Sequence, residues 1–272
     1  MNVLKNKSDN KQIHIIMKYD VLVIGTGPGG YVAAIRAAQL GLKVGVIERE
    51  SLGGICLNWG CIPTKSLLKS AQVLDYFKHS DDYGIKIEGT VKADFSAVVA
   101  RSRGVADGMS KGVQFLLKKN KVDVISGTGK LVSAGKVEVA AADGKREVHE
   151  AGHIILATGA RSKELPNLKQ DGKKIIGYRE AMTLPKQPAS MIVVGSGAIG
   201  SEFAGFYNSM GTKVTLVEFL PNIVPVEDEE VSKQLERSFK KAGMTILTSS
   251  NVKSVDTSGK LCKVKIVTPK GE

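Results

Sequence analysis

The hydrophobic positions of the chain fall into short apolar runs separated by stretches of helical periodicity. Asp20-Val21-Leu22-Val23-Ile24 is apolar throughout after its first residue, the pattern of a short strand buried on both faces. It runs through Gly25-Thr26-Gly27-Pro28-Gly29-Gly30 into an alanine-rich helical pattern over 31–40, which Gly41 ends. Lys43-Val44-Gly45-Val46-Ile47-Glu48 then predicts a second strand, closing on an acid. The same order recurs later. Met191-Ile192-Val193-Val194 leads into Gly195-Ser196-Gly197-Ala198-Ile199-Gly200, a helix runs to Met210, Gly211 stops it, and 212–218 reads as a strand ending at Glu218. In both copies the acid lies 23 positions after the first glycine, 25 to 48 and 195 to 218. Two strand–turn–helix–strand openings with equal spacing predict an α/β chain with two nucleotide-binding units in tandem.

The intervening sequence is mixed. Residues 62–80 and 94–119 place Leu67, Leu68, Val73 and Leu74, then Val98, Val99, Val105, Met109 and Phe115, at helical spacing and predict two helices. Val122-Asp123-Val124-Ile125 predicts a strand ending at Gly127-Thr128-Gly129. Alternation in Lys136-Val137-Glu138-Val139 and in 147–150, around the turn Asp143-Gly144, predicts a small antiparallel β-meander. A separate strand, His153-Ile154-Ile155-Leu156, enters Ala157-Thr158-Gly159, and Pro166, Pro185 and Pro188 mark a crossover over 161–185. The tail predicts a helix over 228–242 and strands near 244–247, 252–255 and 263–267. The expected domains are therefore 18–160 and 186–272, preceded by a polar extension, 1–17, expected to be disordered.

Composition narrows the class. At 42% apolar and 24% charged residues the chain is a globular protein, and no apolar run approaches the ~18 residues that span a bilayer, so no membrane partner is expected. The net charge of +12 suits an anionic partner. Yet the lysines cluster in nothing larger than pairs and aromatics are only 5%, too few for a base-stacking surface, so a small anionic ligand fits better than nucleic acid. Three cysteines are too few for a secreted disulfide scaffold, and 1–17 lack the apolar core of a secretory signal, which makes a cytoplasmic location the expectation. Met17, directly before the first strand, is a second candidate start.

A lone G-x-G-x-x-G also serves as a plain tight turn. Here each copy has a strand before it, a helix after it and an acid at the proper distance. The first glycine permits the turn, the second lets the backbone approach a pyrophosphate, and the third lets helix and strand pack closely. The helix N-terminus then offers N–H groups to phosphate oxygens. Glu48 and Glu218 can accept bonds from ribose hydroxyls, and an acid at 218 disfavours the 2′-phosphate of NADP, which favours NAD in the second unit.

Leu52-Gly53-Gly54-Ile55-Cys56-Leu57-Asn58-Trp59-Gly60-Cys61-Ile62-Pro63-Thr64-Lys65 follows the first ribose acid, which places both cysteines beside the first nucleotide site. C-x₄-C is not a usual zinc spacing and no second Cys/His pair completes four ligands, so no metal site is expected. A redox-active pair suits a reducing compartment, and a helix N-terminus at Cys61 would favour its thiolate; two unrelated buried thiols are the alternative. Cys262 reads as a core residue or a free thiol.

From Gly53 to Lys65, with the two glycine loops, the chain from about 18 to 272 resembles the flavoprotein disulfide reductases, most closely their dihydrolipoamide-oxidising branch. That resemblance implies two tandem Rossmann-like units, the first for FAD and the second for NAD. Gly25, Gly27, Gly30 and Glu48 would hold the ADP half of FAD, with Gly129 and Gly159 lining the same site. Gly195, Gly197, Gly200 and Glu218 would bind NAD, with Val252 near its adenine. Cys56 would be the interchange thiol and Cys61 the thiolate against the flavin, passing two electrons on for delivery to NAD⁺ as hydride. Lys65, paired with Glu202, would join the two units and place positive charge by the flavin; an ordinary surface ion pair is the alternative. The implied partners are dihydrolipoamide on a lipoyl domain of a 2-oxoacid dehydrogenase complex and, for the full-length protein, a second copy of itself.

The sequence departs from that family after the second unit. Members continue with a third stretch that returns to FAD and with a C-terminal dimerisation domain whose His-Glu pair supplies the acid/base. None of His14, His79, His149 and His153 sits in such a setting, and each reads as a surface or strand residue. The chain is therefore expected to be the truncated N-terminal part of such an enzyme. Competing readings are an NADPH-dependent glutathione- or mercuric-type reductase, disfavoured by Glu218, a soluble transhydrogenase, disfavoured by the cysteine pair, and a cofactor-binding fragment without turnover.

Overall fold

Residues 15–272 are described by the computed structural model, so residues 1–14 of the expected extension, His14 among them, lie outside the described residues. The rest of that extension is not loose. Strand β1 (Ile15–Ile24) begins at Ile15, and Met17, Lys18 and Tyr19 pair with His149, Glu150 and Ala151. The chain divides into two compact units. The first joins the described residues up to Cys56 to Met109–Ala160; the second joins Leu57–Gly108 to Arg161–Glu272. The compact units thus differ from the linear domains read from sequence, because the stretch after Cys56 groups with the later residues.

In the first unit β1 is followed by helix α1 (Pro28–Gln39) and strand β2 (Val44–Glu48). Helix α2 (Gly54–Trp59) begins there, and helices α3 (Cys61–Lys78) and α4 (Phe95–Lys119) follow along the chain, α4 returning to the first unit at Met109. Strands β3 (Asp123–Ser126), β4 (Thr128–Ser133), β5 (Lys136–Ala140) and β6 (Arg146–Leu156) complete one six-stranded sheet of order β3-β2-β1-β6-β5-β4. Its β3, β2, β1 and β6 are parallel, while β5 and β4 are antiparallel, so the expected meander is the continuation of the same sheet. Leu22, Val23 and Val46 are fully buried, which accounts for the uninterrupted apolar runs of the central strands. Two expectations are corrected. The separate strands at 147–150 and 153–156 are one continuous strand through Gly152, paired with β1 along most of its length. The turn read over Gly127-Thr128-Gly129 is Gly127 alone: β3 ends at Ser126 and Thr128 already opens β4, an unpredicted edge strand exposed at nearly every position.

His149 is a strand residue as read, but the structure buries it at 3% exposure beside Tyr19, ring centroids 6.1 Å apart. Neither ring nitrogen has a hydrogen-bond partner, and burial lowers its pKa despite the Glu147 carboxylate 3.7 Å away. A histidine held neutral by the fold binds fewer protons folded than unfolded, so stability falls as pH drops below its ordinary value of 6.5. His149→Phe replaces an unsatisfied ring by an apolar one of similar shape. The melting temperature of the wild-type chain is expected to fall more steeply below pH 6.5 than that of the variant; parallel curves would refute the assignment.

The second unit contains helix α5 (Tyr178–Met182), strand β7 (Ser190–Val194), helix α6 (Ala198–Ser209), strand β8 (Lys213–Val217), helix α7 (Glu229–Lys241) and strand β9 (Thr245–Leu247). Strands β10 (Asn251–Asp256) and β11 (Lys263–Val267) form a separate antiparallel pair, and β7, β8 and β9 a parallel sheet. Leu67 and Ala71, one turn apart on α3, pack in one core with Phe95, Met182, Phe206, Tyr207 and Leu216. That core, with α3 against α6, is why the stretch after Cys56 belongs here. The unpredicted α5 contributes Met182 and an acceptor, the Ala181 carbonyl, to the buried Tyr207 hydroxyl. Helix α7 shows its ends plainly: the Asp228 carboxylate accepts from the Glu230 N–H at 2.8 Å, with Glu229 and Glu230 in the first turn and Lys240 and Lys241 in the last. Among the described residues no helix is long and apolar enough to cross a membrane.

Candidate redox and nucleotide-binding site

Each glycine loop has the form its spacing predicts. Gly25 and Gly195 turn with φ of +99° and +94°, a conformation L side chains rarely adopt. A Cβ on Gly30 would lie 1.9 Å from the Gly25 carbonyl oxygen, and one on Gly200 would lie 2.0 Å from that of Gly195, so the third glycine in each loop is where helix backbone meets turn backbone. The middle glycines are different. A Cβ on Gly27 or Gly197 meets nothing within 4 Å. Each is the N-cap of its helix, with no side-chain cap and no acid in the first turn; in α1, Pro28 carries no N–H and the Gly30 N–H donates to the Gly27 carbonyl, which leaves Gly29 as the first donor of that helix. Open space against backbone donors at a positive helix end is what a dinucleotide pyrophosphate requires, and both loops fit one.

The two acids do more than the sequence suggested. One oxygen of Glu48 accepts from the Thr26 N–H at 2.9 Å and its hydroxyl at 2.5 Å; the other accepts from the Arg49 and Glu50 N–H groups. Glu218 repeats this, accepting from the Ser196 N–H at 2.7 Å, the Ser196 hydroxyl at 2.6 Å and the Leu220 N–H at 2.9 Å. Burial pushes the Glu218 carboxyl up, but the bonds from Leu220, Ser196 and Phe219 outweigh it and hold the group below the usual range. It is therefore an ionised carboxylate at neutral pH, hostile to a 2′-phosphate. Thr26 and Ser196 were missed from sequence. Their signal was a hydroxyl residue at the same place in both loops.

Cys56 and Cys61 are disulfide-bonded. Gly54, at φ +61°, opens α2 so close to the first loop that a Cβ there would lie 2.7 Å from the Gly27 Cα. That contact sets the start of the cysteine segment beside the first loop, as expected. Cys61 is the first residue of α3, so it stands at the helix N-terminus. Lys65 follows one turn later on the same helix face and forms an ion pair with Glu202 on α6. Lys65 lies in the expected first domain, 18–160, and Glu202 in the expected second, 186–272, while both belong to the second compact unit. The physical reason is the α3–α6 packing described above.

The remaining expected residues fall at structural positions. Gly129 lies in β4, where a Cβ would stand 3.2–3.3 Å from Ile24 and Ile47. Gly159, at φ +71°, turns the chain two residues after Ala157, whose carbonyl oxygen would be 2.2 Å from a Cβ on Gly25. Val252 is buried with Leu168 and Val217, and its carbonyl accepts from the Asn167 side chain at 2.6 Å. Its side chain is core, next to the residue preceding Glu218. Cys262 is a free, exposed thiol, not a core residue.

Comparison with known proteins agrees with this geometry. A sequence model of the pyridine nucleotide-disulphide oxidoreductase family matches residues 19–272. The chain is 52% identical over 252 residues to a dihydrolipoyl dehydrogenase of Rhizobium etli, covering 88% of this chain and 52% of that protein. It is 46% identical over 242 residues to a leghemoglobin reductase of Vigna unguiculata, covering 88% of this chain and 46% of that one. Among solved structures it is similar to LpdA from Mycobacterium tuberculosis, with a TM-score of 0.84 and 29% identity over 94% of this chain and 56% of that one. The chain thus spans about half the length of the curated relatives it matches.

Proposed function

Because the chain belongs to the pyridine nucleotide-disulphide oxidoreductase family, we propose that it carries the FAD-binding, NAD-binding and disulfide-exchange parts of an enzyme that oxidises dihydrolipoamide to lipoamide and reduces NAD⁺ to NADH. The observation that carries this reading is the Cys56–Cys61 disulfide, with Cys61 opening α3 and Lys65 one turn along it. A dihydrolipoamide thiolate attacks the Cys56 sulfur, forming a mixed disulfide, and Cys61 leaves as a thiolate favoured by the helix end. The second substrate thiol then displaces Cys56 and closes lipoamide, leaving both cysteines reduced and the substrate oxidised by two electrons. FAD and NAD, when bound, carry that electron pair onward.

In the same reading Gly25, Gly27, Gly30 and Glu48 hold the ADP half of FAD near Gly129 and Gly159. Gly195, Gly197, Gly200 and Glu218 hold NAD, beside the Val252 backbone. Lys65, oriented by Glu202, keeps a positive charge one turn from Cys61. The ionised Glu218 favours NAD over NADP, which sets this reading above an NADPH-dependent reductase. The expected partners are a lipoyl domain of a 2-oxoacid dehydrogenase complex and a second copy of the full-length protein, in the cytoplasm.

The test is anaerobic mixing with dihydrolipoamide, alkylation and peptide mass analysis, followed by addition of FAD and NAD⁺. Labels on Cys56 and Cys61 that form faster than with glutathione, and NADH absorbance that grows with NAD⁺ but not NADP⁺, are expected. Labelling no faster than with glutathione, or a preference for the phosphorylated nucleotide, would overturn it.

A further inference from the structure

Trp59, between the two cysteines, is held in a way the exchange chemistry above does not use. The Arg103 guanidinium lies 4.4 Å from the centroid of its ring and the Arg179 guanidinium 5.1 Å from it, so the indole has two cations stacked on it. The indole N–H is buried and has no hydrogen-bond partner, so the ring is placed by stacking and not by that donor. Arg103 also donates to the Asn58 carbonyl, which belongs to the same short segment, and its other terminal nitrogen group contacts the Met182 sulfur at 3.2 Å. Arg101, two residues earlier on α4, donates to the Ser66 carbonyl and hydroxyl on α3, at 3.1 and 2.8 Å. Helix α4 therefore grips both helices that carry the cysteines: α2 at its last two residues and α3 one residue beyond Lys65.

Resting on the redox reading of this site, we infer that Arg103, assisted by Arg179, is a positioning residue: its grip on Asn58 and Trp59 keeps the two cysteines in closing geometry once their bond is broken. In the oxidised chain the disulfide itself restrains 56–61. After reduction that restraint is gone, while the cation–π stack and the carbonyl bond remain to hold the segment. A pre-organised dithiol closes with a high effective molarity, and a loosened one does not. The stack also explains why arginine stands here: only a planar guanidinium can lie on the ring while donating sideways to a carbonyl.

The experiment equilibrates the chain with glutathione buffers and measures the fraction oxidised. Two glutathione thiols reduce the Cys56–Cys61 bond, giving two cysteine thiols and one glutathione disulfide; two electrons and two protons pass to the protein. R103M is expected to lower the closing constant about tenfold, raising the midpoint potential by about 30 mV. R103K retains the charge but cannot stack and donate together, so it is expected to recover little of that loss. Trp59 is the chain's single tryptophan, so its emission reports the segment directly. Reduction is expected to shift the emission maximum to the red in R103M and to leave it in place in the wild-type chain.

Full recovery by R103K would assign the effect to charge alone and overturn positioning, as would an unchanged constant in R103M. Where R103M does not fold, W59F, which keeps a smaller ring against the arginines, is expected to lower the constant several-fold, and no change there would equally overturn it. A wild-type chain with no reversible couple in these buffers would instead refute the redox reading of the pair.

Discussion

Cys61→Ser is expected to reduce dihydrolipoamide-dependent NADH formation by ~10³-fold or more. Serine closes no disulfide, so Cys56 stays a free thiol, which offers a substrate thiolate no sulfur–sulfur bond to break. Cys56→Ser is expected to be as severe in turnover but different in kind. It removes the attacked sulfur and leaves Cys61 alone at the first position of α3, where the helix end favours the thiolate. The two variants therefore separate in alkylation. With the exposed Cys262 replaced by serine in both, the Cys61 thiol of C56S is expected to react at lower pH than the Cys56 thiol of C61S. C61S is also expected to exchange with glutathione disulfide, releasing one glutathione thiol and keeping the other on Cys56 as a stable mixed disulfide visible by mass, because no neighbouring sulfur resolves it. Substantial turnover in either variant would show that the pair is structural. Both should keep the wild-type melting profile after reduction, since neither side chain is among the buried residues of the apolar clusters around Leu67, Leu22 and Val252.

The parts legible in the sequence were those governed by local pattern. The buried parallel strands show as apolar runs because both faces are covered; Leu22, Val23 and Val46 are examples. The glycine loops show because backbone crowding at Gly30 and Gly200 admits no side chain. What was not legible depends on neighbours distant in sequence. Strand β4 is exposed at nearly every position, so it carries no alternation to read. Helix α5 is five residues long, too short for periodicity, and α2 begins at two glycines of positive φ, which read as a loop. Gly152 split β6 on paper, whereas pairing with β1 carries the strand through it. The grouping of α3 with α6 is set by a shared core, and no local signal records it. Among site residues, Glu48 and Glu218 were read as ribose acceptors, but their bonds to Thr26 and Ser196 emerge only when strand ends and loops are brought together. The cation stack on Trp59 was hidden for the same reason: its arginines lie on α4 and α5.

The glycine loops allow folding and ligand binding to be separated by single methyl groups. In Gly27→Ala and Gly197→Ala the new Cβ meets no protein atom within 4 Å, and φ of −63° and −59° suits alanine. The folded chain should tolerate both, with stability unchanged or raised by ~0.4–1 kcal/mol through the unfolded state. The same methyl fills the space a pyrophosphate needs. Gly27→Ala is expected to weaken FAD by about 100-fold and leave NAD⁺ binding intact; Gly197→Ala is expected to do the reverse, each loss being ~2.8 kcal/mol. Gly30→Ala and Gly200→Ala are the contrast. Their Cβ atoms would fall 1.9 and 2.0 Å from backbone oxygens that cannot rotate aside, so they are expected to cost ~3 kcal/mol or more of stability as well as binding. Thermal melting and equilibrium titration with each cofactor read both effects on the same samples. If Gly27→Ala and Gly197→Ala bind like the wild-type chain, the open space beside the middle glycines is not where phosphate sits. If they lose binding only along with stability, the loops act as turns whose ligand role is secondary. Binding lost at full stability, in one unit at a time, is the result that assigns each loop its own nucleotide.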